Sequence, residues 1–102
     1  AAINRGGFKI IPNEVAAILE AHAQVKEATV VAMDDARLGQ VPVAAVELCE
    51  GASGVSEASL KTWAKENMTS YFVPVRFAIV DALPRTSSMK VSLMDVRRLF
   101  DS

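Results

Sequence analysis

The sequence contains few cysteine, histidine or aromatic residues and carries almost no net charge. Its 102 residues include one cysteine, one histidine, one tryptophan and one tyrosine, and its formal net charge at pH 7 is −1. The single Cys49 cannot form an internal disulfide, and no cluster of cysteine and histidine offers a zinc site, so we expect a reducing, cytoplasmic environment. The absence of a basic excess argues against nucleic acid as a partner.

Long hydrophobic runs are also absent. No stretch approaches the roughly 18 apolar residues that a membrane-spanning helix needs, so we expect no membrane span. The hydrophobic content is 51%, and a chain of this length can bury roughly two-thirds of its unfolded surface in one core. The composition therefore predicts a single soluble globular domain that folds alone.

The first part of the chain predicts a β-hairpin followed by a helix. Short apolar stretches flank Gly6 and Gly7, a dipeptide that suits a two-residue turn with positive φ at both positions. Pro12 suits the first position of a helix, and apolar residues then recur with helical spacing, which predicts a helix over 12–23. The turn by itself is a sufficient structural reason for both glycines.

The remaining sequence predicts strands and helices in a mixed order. Predicted next are strands at 28–33 and 41–48, a helix capped by Ser56, a strand at 75–80 and a short helix beginning at the capping pair of Ser92 and Asp95. Pro42 predicts that its strand lies at an edge of the sheet or begins at that residue. This order predicts an α+β domain, with an N-terminal β-hairpin and a small sheet of about three strands covered by helices.

A polar segment after the last predicted strand places Lys90 on a loop. A loop lysine can extend its ammonium group beyond the domain, although an ordinary surface lysine is only solvated. The only histidine, His22, has no nucleophile patterned around it, so we interpret it as structural. The segment 34–40, which follows a predicted strand and contains two aspartates, is interpreted as a turn.

Two segments resemble short motifs of one enzyme superfamily. Residues 3–15 read I-N-R-G-G-F-K-I-I-P-N-E-V and are similar to the pattern I-N-x-G-G-x-K-I-x-P-x-E-V. Residues 83–90 read L-P-R-T-S-S-M-K and are similar to L-P-R-T-x-x-G-K, with Met89 in place of the glycine. Over nearly its whole length, the sequence therefore resembles the C-terminal domain of adenylate-forming enzymes, the acyl- and aryl-CoA synthetases.

The resemblance implies that residues 1–102 are the mobile domain of a ligase whose large N-terminal nucleotide-binding domain is absent from this chain. Such an enzyme converts a carboxylic acid and ATP to an acyl-adenylate and pyrophosphate, and the thiol of coenzyme A then displaces AMP. ATP with Mg²⁺ and coenzyme A would be bound mainly by the large domain. The isolated chain is therefore expected to be inactive.

The resemblance also implies roles for individual residues. Lys90 would be the catalytic cation of the first step, in contact with the carboxylate substrate and the phosphates of ATP. Gly6 and Gly7 would line the tunnel for the pantetheine arm of coenzyme A in the second step. The candidates for contacts with substrate or with the large domain are Lys9, Tyr71 and Arg85.

Some of these candidates also have simpler explanations. Lys9 is expected to face Arg5 across the hairpin, where it would only keep the hairpin soluble. Tyr71 would either stack on the adenine of coenzyme A or pack against Pro74.

The sequence leaves the thiol acceptor and the acid open. A carrier protein could replace coenzyme A, or the chain could be a free-standing binding module with the same fold and no chemistry. Neither the carboxylic acid nor the oligomeric state can be derived from these residues.

Overall fold

The computed structural model describes residues 2–101, which form one five-stranded sheet with helices on both faces. The strands are β1 (Ile3–Arg5), β2 (Phe8–Ile10), β3 (Val25–Asp35), β4 (Gly39–Leu48) and β5 (Phe77–Val80). The α-helices are α1 (Pro12–Leu19), α2 (Glu57–Asn67) and α3 (Leu93–Arg98), and a 3-10 turn covers Ser70–Phe72. The predicted α+β class, with its N-terminal hairpin, is confirmed.

The hairpin and the three further strands belong to the same sheet. The strand order is β2-β1-β4-β3, and β5 lies beside β4 as its parallel partner while the other pairs are antiparallel. Strand β1 meets β4 where Arg5 pairs with Gly39, and β5 pairs with the far half of β4, from Ala44 to Glu47. Strand β4 is therefore central, and β1 and β5 share one of its edges.

The position of Pro42 differs from the prediction. Pro42 lies inside the central strand, opposite Ala32 of β3, and is neither at a sheet edge nor at the first residue of its strand. Its carbonyl accepts a hydrogen bond from the Val75 amide, on the edge that β1 and β5 share. The nitrogen of a strand residue points to the same side as its carbonyl. The N–H that proline lacks would therefore lie in the gap between β1 and β5, where neither strand pairs with Pro42.

The apolar core lies on both faces of the sheet. Alternate side chains of β4 point to opposite faces, which explains why this strand reads as a continuous apolar run. Ala44 and Val46 pack with α1 and α2 through Leu19, Leu60 and Ala64. The opposite face buries Val31, Val43, Ala45, Leu83, Val96 and Phe100, and α3 covers it.

The ends of the helices depend on side chains. Helix α2 begins with the expected cap at Ser56, whose hydroxyl accepts from the Ser59 amide. Helix α1 ends at Leu19 and not at residue 23, and Oε2 of Glu20 accepts from the Ala28 amide on β3. At α3 only half of the predicted capping box forms, because Ser92 accepts from the Asp95 amide but donates its own amide to a carbonyl. No helix in the described part of the chain is long and apolar enough to cross a bilayer.

Candidate functional site

The N-terminal hairpin turns at two glycines, as its sequence predicts. Gly6 and Gly7 have φ values of +55° and +95°, where glycine is favoured over residues with a side chain. The Gly6 amide donates to the Leu38 carbonyl at 2.8 Å, and the Gly7 amide donates to Oδ1 of Asn4 at 3.2 Å. The backbone conformation alone therefore favours glycine at both positions.

The two glycines differ in the space around them. A methyl group on Gly6 would lie 3.0 Å from Cδ2 of Leu38. Apart from Gly7 and its two chain neighbours, no described residue has an atom within 4 Å of the same position on Gly7. Gly7 is therefore the glycine whose open side could face a ligand outside the domain.

Lys9 is exposed on β2, but it does not face Arg5 as expected. The two-residue turn pairs Arg5 with Phe8, and Lys9 consequently lies opposite Asn4. The predicted Lys9–Arg5 pairing is wrong by one position in the hairpin register.

Tyr71 lies against the hairpin. Its ring centroid is 4.4 Å from that of Phe8, with 20° between the ring planes, which is a stacked arrangement. Arg5 joins the same two segments, because its Nη1 donates to the carbonyls of Tyr71 at 3.0 Å and Val73 at 3.1 Å. Tyr71 and the hairpin thus form one structural unit, here called the hairpin region (residues 3–10 and Tyr71). No sequence pattern indicates Phe8 as the stacking partner.

A hollow of about 410 Å³ adds positive charge beside the hairpin region. Arg5 lines it together with Lys61 and Lys65 of α2, and Ser70 contributes a hydroxyl. Lys61 also lies 3.9 Å from Oε2 of Glu57, whereas Lys65 has no ion pair with another described residue. No motif marked these two lysines, because a lysine on the polar face of a helix usually serves only solvation.

Lys90 lies on the exposed loop after β5, here called the Lys90 loop (residues 81–91). The Thr86 amide donates to the Lys90 carbonyl at 2.7 Å, the Met89 amide donates to the Thr86 carbonyl at 2.9 Å, and Arg85 forms an antiparallel bridge with Val91. Within the described residues, no carboxylate oxygen lies within 4.0 Å of the Lys90 ammonium. The ammonium can therefore reach groups outside this domain.

Met89 precedes Lys90 with an uncommon backbone conformation. Its φ is +68°, the only positive value at a non-glycine residue between positions 2 and 101. A side chain in this left-handed region costs roughly 1–2 kcal/mol, a penalty that glycine avoids. The loop thus holds a glycine-like conformation at the position where the superfamily pattern has glycine.

Arg85 connects the Lys90 loop to the sheet. Its Nη1 donates to the Met89 carbonyl at 3.1 Å, and its Nη2 lies 2.6 Å from Oε1 of Glu27 on β3. Both side chains are about one-third exposed, at 34% for Arg85 and 33% for Glu27. The structure therefore gives Arg85 internal partners, and Glu27 is a residue of this site that no motif marked.

Glu47 fastens the base of the same loop. It is buried, and its Oε1 accepts from the Leu83 amide at 3.0 Å while its Oε2 lies 3.3 Å from the Lys26 ammonium. The Leu83 hydrogen bond, with a further contribution from Lys26, lowers the pKa of Glu47 below its ordinary value. This carboxylate is therefore structural and anchors the loop in its ionised form.

The hairpin region and the Lys90 loop lie at opposite ends of the sheet. The hairpin joins β4 at Gly39, which pairs with Asp35 at the end of β3. The Lys90 loop is attached near the start of β3, at Glu27. The stretch of β3 between Glu27 and Asp35 measures about 26 Å at the usual rise of a strand. The two regions are therefore attached to the sheet at well-separated points along β3.

A groove of about 960 Å³ runs along the free edge of β3 and adjoins the Lys90 loop through Glu27 and Val91. Leu93 and Met94 of α3 line it, and these apolar side chains are 60% and 66% exposed. The domain therefore presents apolar surface next to Lys90.

The remaining polar candidates have structural partners. Nδ1 of His22 accepts from the Gln24 amide at 3.0 Å, and its ring lies edge-on to Trp63. Oδ1 of Asp35 accepts from the amides of Leu38 and Arg37, and these bonds lower its pKa, as is typical of a turn. Among residues 2–101, no three histidine, cysteine, aspartate or glutamate side chains are grouped to hold a metal ion.

Comparison with known proteins gives matches over most of the chain. Residues 14–90 match the family model of the AMP-binding enzyme C-terminal domain. The chain is 40% identical over 94 residues to a 2-succinylbenzoate–CoA ligase of Geobacillus kaustophilus, which covers 92% of the chain and 19% of the relative. It is 38% identical over 98 residues to an oxalate–CoA ligase of Arabidopsis thaliana, covering 96% of the chain and 19% of the relative.

A solved structure has the same fold. The crystal structure of ATP-bound MatB from Rhodopseudomonas palustris superimposes with a TM-score of 0.87 at 25% identity, over 99% of this chain and 20% of that one. The chain thus spans about one-fifth of the length of these three proteins.

Proposed function

The chain belongs to the family of AMP-binding enzyme C-terminal domains, and we propose that it is the mobile domain of an ATP-dependent acid–CoA ligase. The named CoA ligases among its relatives support this activity, and their greater length supports a large N-terminal domain as its partner. That domain would bind the carboxylic acid, ATP and most of coenzyme A. The acid stays open, because 2-succinylbenzoate and oxalate differ greatly in size and polarity.

The first half-reaction would use Lys90. A carboxylate oxygen of the acid attacks the α-phosphorus of ATP, and the bond between the α-phosphorus and the bridging oxygen of pyrophosphate breaks. Both reactants are anions, so an ammonium placed between them lowers their repulsion and stabilises the charge of the transition state. The exposed position of Lys90, and its freedom from ion pairs with other described residues, support this role.

Magnesium would neutralise phosphate charge in this step when it is bound. The described residues contain no group of three or more histidine, cysteine, aspartate or glutamate side chains that could hold it, and we propose that its protein ligands lie in the large domain.

The second half-reaction would use the hairpin region. The sulfur of coenzyme A attacks the acyl carbon, the bond from that carbon to the adenylate oxygen breaks, and AMP leaves. The open side of Gly7 would let the pantetheine arm pass close to the backbone. Tyr71 lies beside the hairpin, and Lys61 and Lys65 supply positive charge for the phosphates of coenzyme A.

The separation of the two regions carries this proposal. The Lys90 loop and the hairpin region lie at opposite ends of β3, about 26 Å apart along the strand. If the Lys90 loop serves the first half-reaction and the hairpin region serves the second, the domain would turn between the two steps. In one of these orientations, the apolar groove beside the Lys90 loop would pack against the large domain and be shielded from water. The ATP for the first step and the coenzyme A for the second step would come from the cytoplasm.

The test is pyrophosphate release by the full-length protein across a panel of carboxylic acids, followed by thioester analysis with coenzyme A. We expect release of pyrophosphate with at least one acid and formation of the matching acyl-CoA. Release followed by transfer only to a phosphopantetheinylated carrier protein would identify the other acceptor. Absence of pyrophosphate release with every acid class would contradict the ligase assignment and favour a binding module.

A further inference from the structure

The peptide group that carries Lys90 is held by the side chain of Arg85. The carbonyl of Met89 belongs to the peptide bond whose nitrogen is that of Lys90, and Nη1 of Arg85 donates to this carbonyl at 3.1 Å. The loop backbone itself supplies the bond from the Thr86 amide to the Lys90 carbonyl. Lys90 is therefore flanked on both sides by peptide groups with a defined orientation.

Arg85 is held in turn by Glu27. Its Nη2 lies 2.6 Å from Oε1 of Glu27, and the two residues are 58 positions apart in the sequence. A planar guanidinium with one donor on a backbone carbonyl and another on a carboxylate has little freedom to rotate. The contact thus holds the Lys90 loop in a fixed position relative to β3.

The sheet fixes Glu27 at this position. Glu27 lies directly opposite Glu47 in the register of β3 and β4, and two facing carboxylates repel each other. Glu47 already binds the Leu83 amide and Lys26. Glu27 is left to bind Arg85, whose positive charge reduces the repulsion between the two carboxylates.

The solvent exposure of the Arg85–Glu27 pair indicates that the pair affects the geometry of the Lys90 loop more than the folding stability of the domain. Arg85 and Glu27 are each about one-third exposed, and ion pairs with this much solvent contact contribute little to folding. A shift of a reacting group by about 1 Å, in contrast, can change a rate by as much as roughly 10²-fold.

We infer that Arg85 and Glu27 form a positioning pair that directs the Lys90 ammonium during adenylate formation. This inference rests on the proposed role of Lys90. It assigns Arg85 an action through Lys90 in place of a direct contact with substrate, and it adds Glu27 as a residue on which the first half-reaction depends.

The test compares both half-reactions of the full-length enzyme in Glu27→Gln, Arg85→Lys and the double variant. Glutamine keeps the size of Glu27 and removes its charge, and lysine keeps the charge of Arg85 and removes the fork. We expect each single variant to slow adenylate formation roughly tenfold and to spare thioester formation from supplied acyl-adenylate. The double variant should be no slower than the slower single variant, because the two residues act as one unit.

A matched control is Asp34→Asn. Asp34 is also a β3 carboxylate and lies 3.7 Å from Nη2 of Arg97, but it is near the other end of the strand. This variant should leave both half-reactions unchanged.

A background without the Lys90 amine separates positioning from direct contact. In Lys90→Ala, the further change Glu27→Gln or Arg85→Lys should have no additional effect on adenylate formation. An additional loss from Arg85→Lys in this background would mean that Arg85 contacts substrate itself and would overturn the inference.

The remaining outcomes are also decisive. If Lys90→Ala slows adenylate formation while Glu27→Gln does not, the positioning pair is refuted and the proposed function stands. If Glu27→Gln slows both half-reactions equally, its role is only structural and the positioning pair is refuted. If Lys90→Ala itself leaves adenylate formation unchanged, the role of Lys90 fails and the inference fails with it.

Discussion

The buried amide of Leu83 donates a 3.0 Å hydrogen bond to Oε1 of Glu47 and so ties the start of the Lys90 loop to the central strand. Because this bond lowers the pKa of Glu47, the ionised carboxylate stabilises the folded state. The contribution is present above the ordinary pKa of 4.5. It is lost as the pH falls through the lower pKa of the folded state.

Glu47→Gln should therefore lower the free energy of unfolding in a pH-dependent way. We expect a loss of about 1 kcal/mol at neutral pH, where a charged hydrogen bond is replaced by a neutral one. The difference from wild type should shrink as the pH falls below 4.5 and Glu47 itself becomes protonated. Urea unfolding of the 102-residue chain over this pH range measures the effect, with the exposed Glu66→Gln as control. A difference that persists undiminished at low pH would show that the charge of Glu47 is unimportant.

Met89→Gly should stabilise the domain. It relieves the strain of φ +68°, and the added freedom of glycine in the unfolded chain partly offsets the gain. We expect an increase of at most about 1 kcal/mol in the free energy of unfolding. Met89→Val should act in the opposite direction, because a β-branched residue tolerates positive φ least. Equal stability of both variants would mean that the loop does not hold this conformation in solution.

The isolated chain should fold and lack ligase activity. It has a core on both faces of the sheet, but among its described residues it has no metal-binding cluster. Circular dichroism and cooperative unfolding should confirm the fold, and assays for pyrophosphate and thioester should give no signal. Steady ATP consumption by these 102 residues alone would refute the two-domain proposal.

Local sequence signals predicted those parts of the fold that local interactions determine. The glycine pair specified the hairpin turn, and the Ser56 cap specified the start of α2. Strand β3 extends beyond the predicted 28–33 because its charged ends are paired with β4, which no local pattern reveals. The prediction for Pro42 was wrong for a related reason, because only the tertiary structure shows the gap between β1 and β5 that accommodates this proline.

The roles of the candidate site residues remain predictions that rest on the superfamily motifs. Two short motifs of the superfamily were enough to mark Lys90 and the two glycines. Glu27 could not be predicted, because its partner Arg85 is 58 positions away and a glutamate in a strand has no distinctive spacing. The register of the hairpin could have been derived from the two-residue turn alone, and that derivation would have paired Lys9 with Asn4.

Gly7→Trp in the full-length enzyme should impair thioester formation far more than adenylate formation. A large side chain would project from the open side of the turn, where the pantetheine arm is proposed to pass. Gly7→Ala is the matched control, because it has the same strain at φ +95° but adds only one carbon. The difference between the two variants isolates the effect of bulk. Equal losses in both half-reactions for both variants would mean that the glycine serves only the turn.

The most direct test of the two-step proposal is the effect of Lys90→Ala on the two half-reactions of the purified full-length enzyme. Removal of one well-placed cation should slow adenylate formation by a factor on the order of 10² or more. Thioester formation from supplied acyl-adenylate should be largely unchanged, and Lys90→Arg should restore little, because a planar fork does not replace a compact ammonium. Adenylate formation close to the wild-type rate would contradict the proposal and would make Lys90 an ordinary surface lysine.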